Sequence, residues 1–301
     1  MNDLVVFSLS SNKKVAKNVA SLLHAQKGRI KIDHFKDGEV MVKNLSDVDG
    51  KDVIIIQSTS NPAIFKLFEI LLLIDSLRRS GANKIDLYIP YYGYSRQERP
   101  QENEPVSAEV VAKILSISQA DKIYTFDIHH NVIESFFKIP FISLDSAELF
   151  IDYFAKLFKK NGVDLKDVVV VSPDHGGNAR TFKVHDGLKG SSMTILNKVR
   201  PLPNVAEHLE VDFDLKGKTC LIIDDIIDTG GTIISATKLL YSHGAKDVFV
   251  AATHGVFSKG SIEKLKAANI KKIIVTNTIE KRNLDKDVEV LDISPLIVKN
   301  L

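Results

Sequence analysis

A pattern of buried strand, polar loop and amphipathic helix occurs twice in this 301-residue chain. In the first copy, the apolar run 53–56 leads through a polar loop into a helical pattern that stops near Gly81. In the second copy, the run 220–223 leads through a loop into a helical pattern that stops near Gly244. Continuous β-branched runs that alternate with helices are typical of parallel sheets covered on both faces. The sequence therefore predicts an α/β protein made of two copies of one domain. The boundary between the copies falls near residue 145, which gives domains of 1–145 and 146–301.

Composition excludes some classes of protein. A net charge of +2 excludes the broad basic surface that nucleic-acid binding needs. The first residues lack a basic region ahead of an apolar core, and the apolar runs are too short to span a bilayer. We therefore expect a cytoplasmic protein with no membrane or nucleic-acid partner. The single cysteine, Cys220, lies in an apolar run and is predicted to be a core residue.

The second copy carries an acidic, glycine-rich loop that the first copy lacks. Asp224 and Asp225 directly follow the apolar run, and helical spacing begins at Ile233. Between them lies the stretch Asp228, Thr229, Gly230, Gly231 and Thr232. A helix that starts after such a loop presents backbone N–H groups and its positive dipole end to an anion. Two carboxylates at a strand end suit ribose hydroxyls, directly or through a divalent cation. The loop therefore predicts a site for a phosphorylated sugar rather than an ordinary turn.

Other polar clusters also follow predicted strands, on the side where ligands of parallel sheets bind. Arg96 and Gln97 stand beside tyrosines, a combination that suits a nucleotide, although a solvated loop explains them equally well. His129 and Asp174 each follow a strand, and one His with one or two carboxylates suits Mg²⁺ that binds phosphate oxygens. A lone His is more often a structural residue.

Two further segments are less specific on their own. Lys198 and Arg200 form a basic pair that could neutralise charge in phosphoryl transfer, or could be a solvated basic turn. The segment Phe35, Asp37, Gly38 and Glu39 reads as a turn with an exposed aromatic residue.

Together these residues resemble the ribose-phosphate diphosphokinase family, whose members make 5-phosphoribosyl 1-diphosphate. The resemblance runs from about Val5 to Ile297. The stretch 223–232 resembles a signature that phosphoribosyltransferases also carry, so the separating features are the second domain copy and four short motifs. These motifs are Phe35-x-Asp37-Gly38-Glu39, Tyr94-x-Arg96-Gln97, Asp127-x-His129 and Lys198-x-Arg200. The resemblance implies an α/β fold with two tandem phosphoribosyltransferase-like domains, each a mainly parallel sheet with helices on both faces.

The resemblance also implies a role for each segment in a transfer of diphosphate from ATP to ribose 5-phosphate. The residues expected to bind ribose 5-phosphate are Asp224, Asp225, Asp228, Thr229, Gly230, Gly231 and Thr232. The residues expected to bind ATP are Arg96 and Gln97, with Phe35, Asp37 and Glu39 supplied by a neighbouring subunit. His129 and Asp174 look like the Mg²⁺ positions, and Lys198 and Arg200 resemble the basic pair of a mobile catalytic loop. A homo-oligomer, dimer or larger, is therefore expected.

Two alternatives stay open at this point. A phosphoribosyltransferase would explain the acidic loop but would leave the first copy without a role. A non-catalytic regulatory homologue would be favoured by loss of the acidic loop or of the basic pair, and both are present.

The sequence also departs from the family's pattern near its regulatory site. Asn61-Pro62 stands where the family usually has an Asn-Asp-Asn-Leu-type helix start, and the segment 100–105 is acidic where the family often carries basic residues. We therefore expect weak or absent activation by phosphate and weak or absent allosteric control by ADP, and these departures leave room for a smaller assembly than the family's hexamer.

Overall fold

The computed structural model describes residues 3–199, 208–211, 213–281 and 284–301. The chain forms two compact units: Met1–Asp145 with Asn277–Glu280 and Asp292–Leu301, and Ser146–Thr276 with Lys281–Leu291. The chain passes from the first unit to the second after residue 145, and two short C-terminal segments belong to the first unit.

The first unit is built on a six-stranded sheet. In chain order its elements are β1 (Leu4–Ser8), α1 (Lys13–Leu22), β2 (Gln26–Lys27), β3 (Ile30–His34), β4 (Val40–Asn44), β5 (Asp52–Ile56), α2 (Ala63–Arg79), β6 (Lys84–Tyr88), α3 (Ser107–Ser116), β7 (Lys122–Phe126), a 3-10 helix (Asn131–Phe136) and β8 (Phe141–Leu144). The sheet has the order β2-β1-β5-β6-β7-β8, and every neighbouring pair is parallel. The strands β3 and β4 form a separate antiparallel hairpin.

The second unit repeats this plan. Its elements are α4 (Ala147–Lys160), a 3-10 helix (Leu165–Asp167), β9 (Val168–Ser172), α5 (Asn178–Gly187), β10 (Ser192–Ile195), β11 (Asn197–Val199), β12 (His208–Glu210), β13 (Thr219–Ile227), α6 (Gly231–Ser242), β14 (Asp247–Gly255), α7 (Ser261–Ala267), β15 (Lys272–Thr276) and β16 (Val288–Leu291). Helix α8 (Ser294–Lys299) then ends the chain in the first unit. The sheet has the parallel order β10-β9-β13-β14-β15-β16.

The two sheets have the same topology. In each, the second parallel strand lies at the edge beside the first, and the other four strands lie on the opposite side. A hairpin is inserted at the same point of both units, as β3–β4 in the first and β11–β12 in the second. The prediction of two copies of one domain is confirmed.

Both faces of the second sheet are covered, which explains its continuous apolar strands. Because side chains alternate along a strand, Cys220 and Ile222 of β13 pack in one core with Ile233 of α6. Leu221 and Ile223 pack in another core, which holds side chains of α4 and α5. In the first unit, α2 and α3 cover one face, while α1 packs against β1, β5 and α8. Among the described residues, no helix is long and apolar enough to cross a membrane.

Cys220 is a core residue, as predicted. It is fully buried, and burial raises the pKa of its thiol to about 12. Because the thiolate is the reactive form, burial disfavours a role for this thiol as a nucleophile.

Strand β13 is longer than its apolar run indicated. The sequence placed its end at Ile223, but β13 continues to Ile227 and pairs with β14 over that length. Its pairing with β9 stops at Ile222. Residues 224–227 therefore have a neighbouring strand on one side only, so polar side chains can occupy the end of a central strand.

Candidate active site

The candidate site of the second unit lies at the carboxyl ends of β9 and β13. These strands are neighbours, but the chain leaves β9 towards β10 at one edge and later enters β13 on the other side. The strand order thus reverses between them, and ligands of open α/β sheets bind in the crevice at such a point. The loop after β9 carries Asp174, and the end of β13 carries Asp224 and Asp225.

The segment from Thr229 to Thr232 forms the turn into α6. Gly230 has a φ of 81°, a left-handed conformation that glycine adopts without strain. Thr229, Gly231 and Thr232 are exposed. Since α6 is 12 residues long, its unpaired N–H groups and positive dipole end make this turn suitable for an anion.

Asp228 is held in place by the loop that follows β14. The Ser258 hydroxyl donates a short hydrogen bond to the Asp228 carboxylate. The backbone is fixed as well, because the Ser258 N–H donates to the Asp228 carbonyl at 3.3 Å and the Phe257 N–H donates to the Ile227 carbonyl at 3.0 Å. Ser258 contributes to this loop although no sequence motif marked it, because it lies 30 positions away along the chain.

The two carboxylates of the acid pair repel each other. Asp225 is only 7% exposed and Asp224 is partly buried. The Asp225 N–H donates to Asp224 Oδ1 at 2.8 Å. Burial, and then the neighbouring Asp225 carboxylate, raise the pKa of Asp224 well above its ordinary value. Hydrogen-bond donors or a cation would relieve this repulsion. A sugar supplies such donors through its hydroxyl groups, and a metal ion supplies the cation.

Arg180 of α5 also belongs to this site, although the sequence did not indicate it. Its Nη1 lies 3.9 Å from Asp225 Oδ1, and both side chains are largely buried. Gly177 allows the start of α5 to lie close to the end of β9. A Cβ at this position would come within 2.8 Å of Ser172 Oγ, and it would lie 3.8 Å from the Ile223 carbonyl of β13.

Asp174 lies in the tight turn between β9 and α5. The Ser172 hydroxyl donates to the Asp174 carbonyl at 2.6 Å, and the Gly177 N–H donates to Asp174 Oδ1 at 3.2 Å. The turn therefore places Asp174 beside the end of β13. Among the described residues, no group of three or more His, Cys, Asp or Glu side chains forms a ready-made metal cage.

The other candidate residues of the first unit lie on exposed segments. Arg96 and Gln97 follow β6 and His129 follows β7, and all three are exposed. The Gln97 side-chain oxygen accepts from the Ser107 hydroxyl at 2.6 Å. Because β6 and β7 are neighbours, their loops meet, and Arg99 Nη2 lies 2.9 Å from His130 Nε2.

Phe35, Asp37 and Glu39 form the tip of the β3–β4 hairpin. The Phe35 N–H donates to the Glu39 carbonyl at 2.9 Å, and the Glu39 N–H donates to Asp37 Oδ1 at 3.1 Å. The Phe35 side chain is 57% exposed, as the sequence predicted.

The basic pair is described only in part. Lys198 is the central residue of β11 and pairs with Leu209 of β12. Arg200 lies outside the described residues.

The equivalent crevice of the first unit is filled by its own side chains. The buried Glu69 carboxylate accepts from the Ser10 hydroxyl and from Gln57 Nε2, both at 2.6 Å. Ser58 Oγ and Asn12 Nδ2 both donate to the Thr278 carbonyl. In this copy, hydrogen bonds within the unit occupy the position where the second unit presents its acid pair.

A parallel sheet of this order, with an acid pair and a Thr-Gly-Gly-Thr turn at the point of reversal, defines a protein of the phosphoribosyltransferase fold class. Residues 4–118 match the N-terminal domain of ribose phosphate pyrophosphokinase, and residues 178–301 match the phosphoribosyl synthetase-associated domain. The chain belongs to the ribose-phosphate pyrophosphokinase family.

Full-length relatives lead to the same family. A ribose-phosphate pyrophosphokinase of Corynebacterium ammoniagenes is 42% identical over 300 residues, covering 98% of this chain and 92% of that protein. One from Bacillus subtilis is 38% identical, covering 99% and 92%. The crystal structure of phosphoribosylpyrophosphate synthetase from Mycobacterium smegmatis has a TM-score of 0.90 at 34% identity, covering 99% of this chain and 97% of that one.

Proposed function

We propose that the protein transfers the diphosphoryl group of ATP to the C1 hydroxyl of ribose 5-phosphate, giving 5-phosphoribosyl 1-diphosphate and AMP for nucleotide biosynthesis. The observation that carries this proposal is the crevice at β9 and β13. There a strained acid pair and an exposed helix N-terminus are only a few residues apart on one chain segment. They match the two ends of a phosphorylated ribose. Both substrates are intracellular metabolites, so we also propose a cytoplasmic location.

The acceptor sugar would bind along the segment from β13 to α6. Asp224 and Asp225 would accept hydrogen bonds from the ribose hydroxyls, and Asp228, Thr229, Gly230, Gly231 and Thr232 would hold the 5-phosphate. The C1 oxygen then attacks the β-phosphorus, the bond from that phosphorus to the α-phosphate oxygen breaks, and AMP leaves. The C1 hydroxyl loses its proton to the surrounding water. No covalent intermediate on the protein is required, so alignment of the substrates supplies much of the rate.

Mg²⁺ fits the donor chemistry of these residues. It commonly uses one or two carboxylates together with substrate phosphates and water rather than a complete protein cage. Asp174, His129 and the acid pair are the candidate ligands. The raised pKa of Asp224 indicates a pair that a nearby cation would relieve. When bound, Mg²⁺ would neutralise charge on the triphosphate.

The ATP side is proposed from the exposed segments of the first unit. Arg96 and Gln97 would contact ATP, and the hairpin tip with Phe35, Asp37 and Glu39 would reach it from a neighbouring subunit. An exposed aromatic ring on a rigid hairpin suits stacking on a base. This arrangement requires a homo-oligomer, dimer or larger. Lys198 and Arg200 would follow the negative charge as it develops in the transition state.

The test is to incubate the protein with ribose 5-phosphate, Mg²⁺ and ATP that carries a labelled β-phosphate, and to separate the products. Diphosphoryl transfer moves the label to the sugar and releases AMP in equal amount, whereas transfer of the γ-phosphoryl group would release ADP. Absence of AMP, or AMP without a labelled sugar, rejects the proposal. Mixing with a base acceptor and 5-phosphoribosyl 1-diphosphate tests the phosphoribosyltransferase alternative, which leaves the matched first unit without a role.

A pair of variants checks that the reaction uses the crevice. Asp225→Asn should abolish AMP formation. Asp285→Asn makes the same change in the same unit at an exposed ion pair with Lys266, where the two side chains lie 2.6 Å apart. It should leave the rate unchanged. Equal rates in both variants would show that the reaction occurs elsewhere.

A further inference from the structure

We infer that Arg180 is a positioning residue for ribose 5-phosphate: it holds the Asp225 carboxylate so that the acid pair faces the sugar hydroxyls. The inference rests on the proposed function, because it concerns the same crevice. It adds Arg180, which lies outside both the acidic loop 223–232 and the turn 173–177 that carries Asp174.

The first support is the contact itself. Arg180 Nη1 lies 3.9 Å from Asp225 Oδ1, where the arginine side chain is 13% exposed and the aspartate side chain 9%. An exposed ion pair contributes little, whereas charges interact more strongly when they are buried. Arg180 therefore supplies positive charge beside Asp225 and favours the orientation that the carboxylate has in the structure.

The second support is the construction that brings the arginine there. Arg180 is the third residue of α5, and the preceding turn is fixed by hydrogen bonds between Ser172, Asp174 and Gly177. Gly177 lets the start of α5 lie against the end of β9, since a Cβ would fall 2.8 Å from Ser172 Oγ; the same Cβ would lie 3.8 Å from the Ile223 carbonyl of β13. The arginine is thus presented from a rigid helix rather than from a loop, as precise positioning requires.

The third support is a comparison within the chain. The third residue of α1, which occupies the corresponding place after β1, is Val15, and it is 1% exposed. After the neighbouring strand β5, the first unit has Gln57 and Ser58 rather than two acids. The fold therefore accepts an apolar residue at this helix position when no acid pair is present. The fold therefore does not require an arginine at the third position of this helix, and the arginine occurs in the unit that has the acid pair.

The test compares steady-state kinetics of full-length wild type, Arg180→Met and Arg180→Lys. Methionine keeps much of the apolar stem of arginine without its charge, and the corresponding residue of the first unit, Val15, is also apolar. We expect Arg180→Met to raise the KM for ribose 5-phosphate at least about tenfold while the KM for ATP changes less than about twofold. Arg180→Lys keeps the charge but loses the planar fork, so it should recover part of the lost affinity. Arg79→Met is the control, because Arg79 forms an exposed ion pair with Asp75.

Each outcome decides one point. If wild type forms AMP and both Arg180 variants keep the wild-type KM for ribose 5-phosphate, the inference is wrong and the proposed function stands. If the KM for both substrates rises equally and the melting temperature falls, Arg180 is a structural residue and the inference is again wrong. If Arg180→Met is inactive, calorimetric titration with ribose 5-phosphate replaces the KM, and unchanged binding overturns the inference. Failure of wild type to form AMP rejects the proposed function itself.

Discussion

Replacing Gly231 by alanine should separate binding from stability at the proposed phosphate site. Gly231 is the first residue of α6, it is exposed, and it has no positive φ. A Cβ at this position would meet only Thr229 Oγ1, at 3.9 Å, which is an ordinary van der Waals contact. The turn itself therefore has room for the methyl group. If a phosphate lies on the N–H groups of this turn, however, the methyl group would collide with it.

Gly231→Ala should raise the stability of the protein and lower its affinity for ribose 5-phosphate. Alanine in a compatible helical position stabilises a protein by about 0.4–1 kcal/mol, because the unfolded chain loses freedom. A hydrogen bond to a charged group contributes about 1.5–3 kcal/mol. Loss of one N–H···phosphate bond should therefore weaken ribose 5-phosphate binding about 10- to 150-fold, at roughly 1.4 kcal/mol for each factor of ten.

Calorimetric titration with ribose 5-phosphate and a thermal unfolding scan would measure both quantities on one sample. Gly162→Ala is the matched control. Gly162 is exposed with a φ of 65°, and a methyl group added there would have no atom within 4 Å. Alanine at this position therefore introduces only backbone strain, of about 1–2 kcal/mol. It should lower the melting temperature and leave binding intact. A folded Gly231→Ala protein that binds ribose 5-phosphate with wild-type affinity would refute the assignment of this turn to the phosphate.

Three further changes test other parts of the structure. Ser258→Ala removes the hydroxyl that holds Asp228, so the KM for ribose 5-phosphate should rise several-fold with little change in melting temperature; an unchanged KM would contradict this. The pKa of Asp224 is raised in the folded state, so wild type without metal is expected to lose stability as the pH rises from about 4 through that raised value. Asp224→Asn should lack this loss, so its melting temperature in chelator should exceed that of wild type increasingly as the pH rises from about 4 through that raised value; a constant difference would argue against the assigned repulsion. Glu69→Gln can still accept the hydrogen bonds from Ser10 and Gln57, whereas Glu69→Leu removes the acceptor and leaves the buried Gln57 Nε2 with its longer bond to Ser10 Oγ, at 3.2 Å. Leucine should therefore lower the free energy of unfolding in urea by about 2 kcal/mol more than glutamine does; equal losses would contradict the network's role.

The fold was predictable because its main signal is local. Runs such as 53–56 and 220–223 are apolar at every position because both faces of a parallel sheet are covered. The glycines that end the following helices adopt positive φ in the structure, 83° at Gly81 and 87° at Gly244. These features need only neighbouring residues, and neighbouring residues are what a sequence displays.

The parts that escaped prediction depend on contacts between distant segments. Strand β13 continues past its apolar run because it still pairs with β14 there, although its pairing with β9 ends at Ile222. No local pattern signals how far a neighbouring strand extends. Ser258 and Arg180 reach the acidic segment from other loops and helices, so no motif spacing includes them. Sequence left open whether the C-terminal segment crosses back to the first unit, because the placement of residues 277–280 and 292–301 there rests on long-range hydrogen bonds, such as those from Asn12 and Asn18.

The two crevices of this duplicated fold are two solutions to one physical problem. Parallel strands that end beside each other leave polar backbone and side-chain groups that must find partners. In the first unit the buried Glu69 carboxylate meets Ser10 and Gln57, so the crevice is satisfied without a ligand. In the second unit two carboxylates raise each other's energy, with Arg180 as a partial counter-charge. The first crevice therefore gains nothing by opening, whereas the second gains stability when donors or cations enter it. A duplicated domain can in this way fill the crevice of one copy with its own side chains and leave the crevice of the other strained for binding.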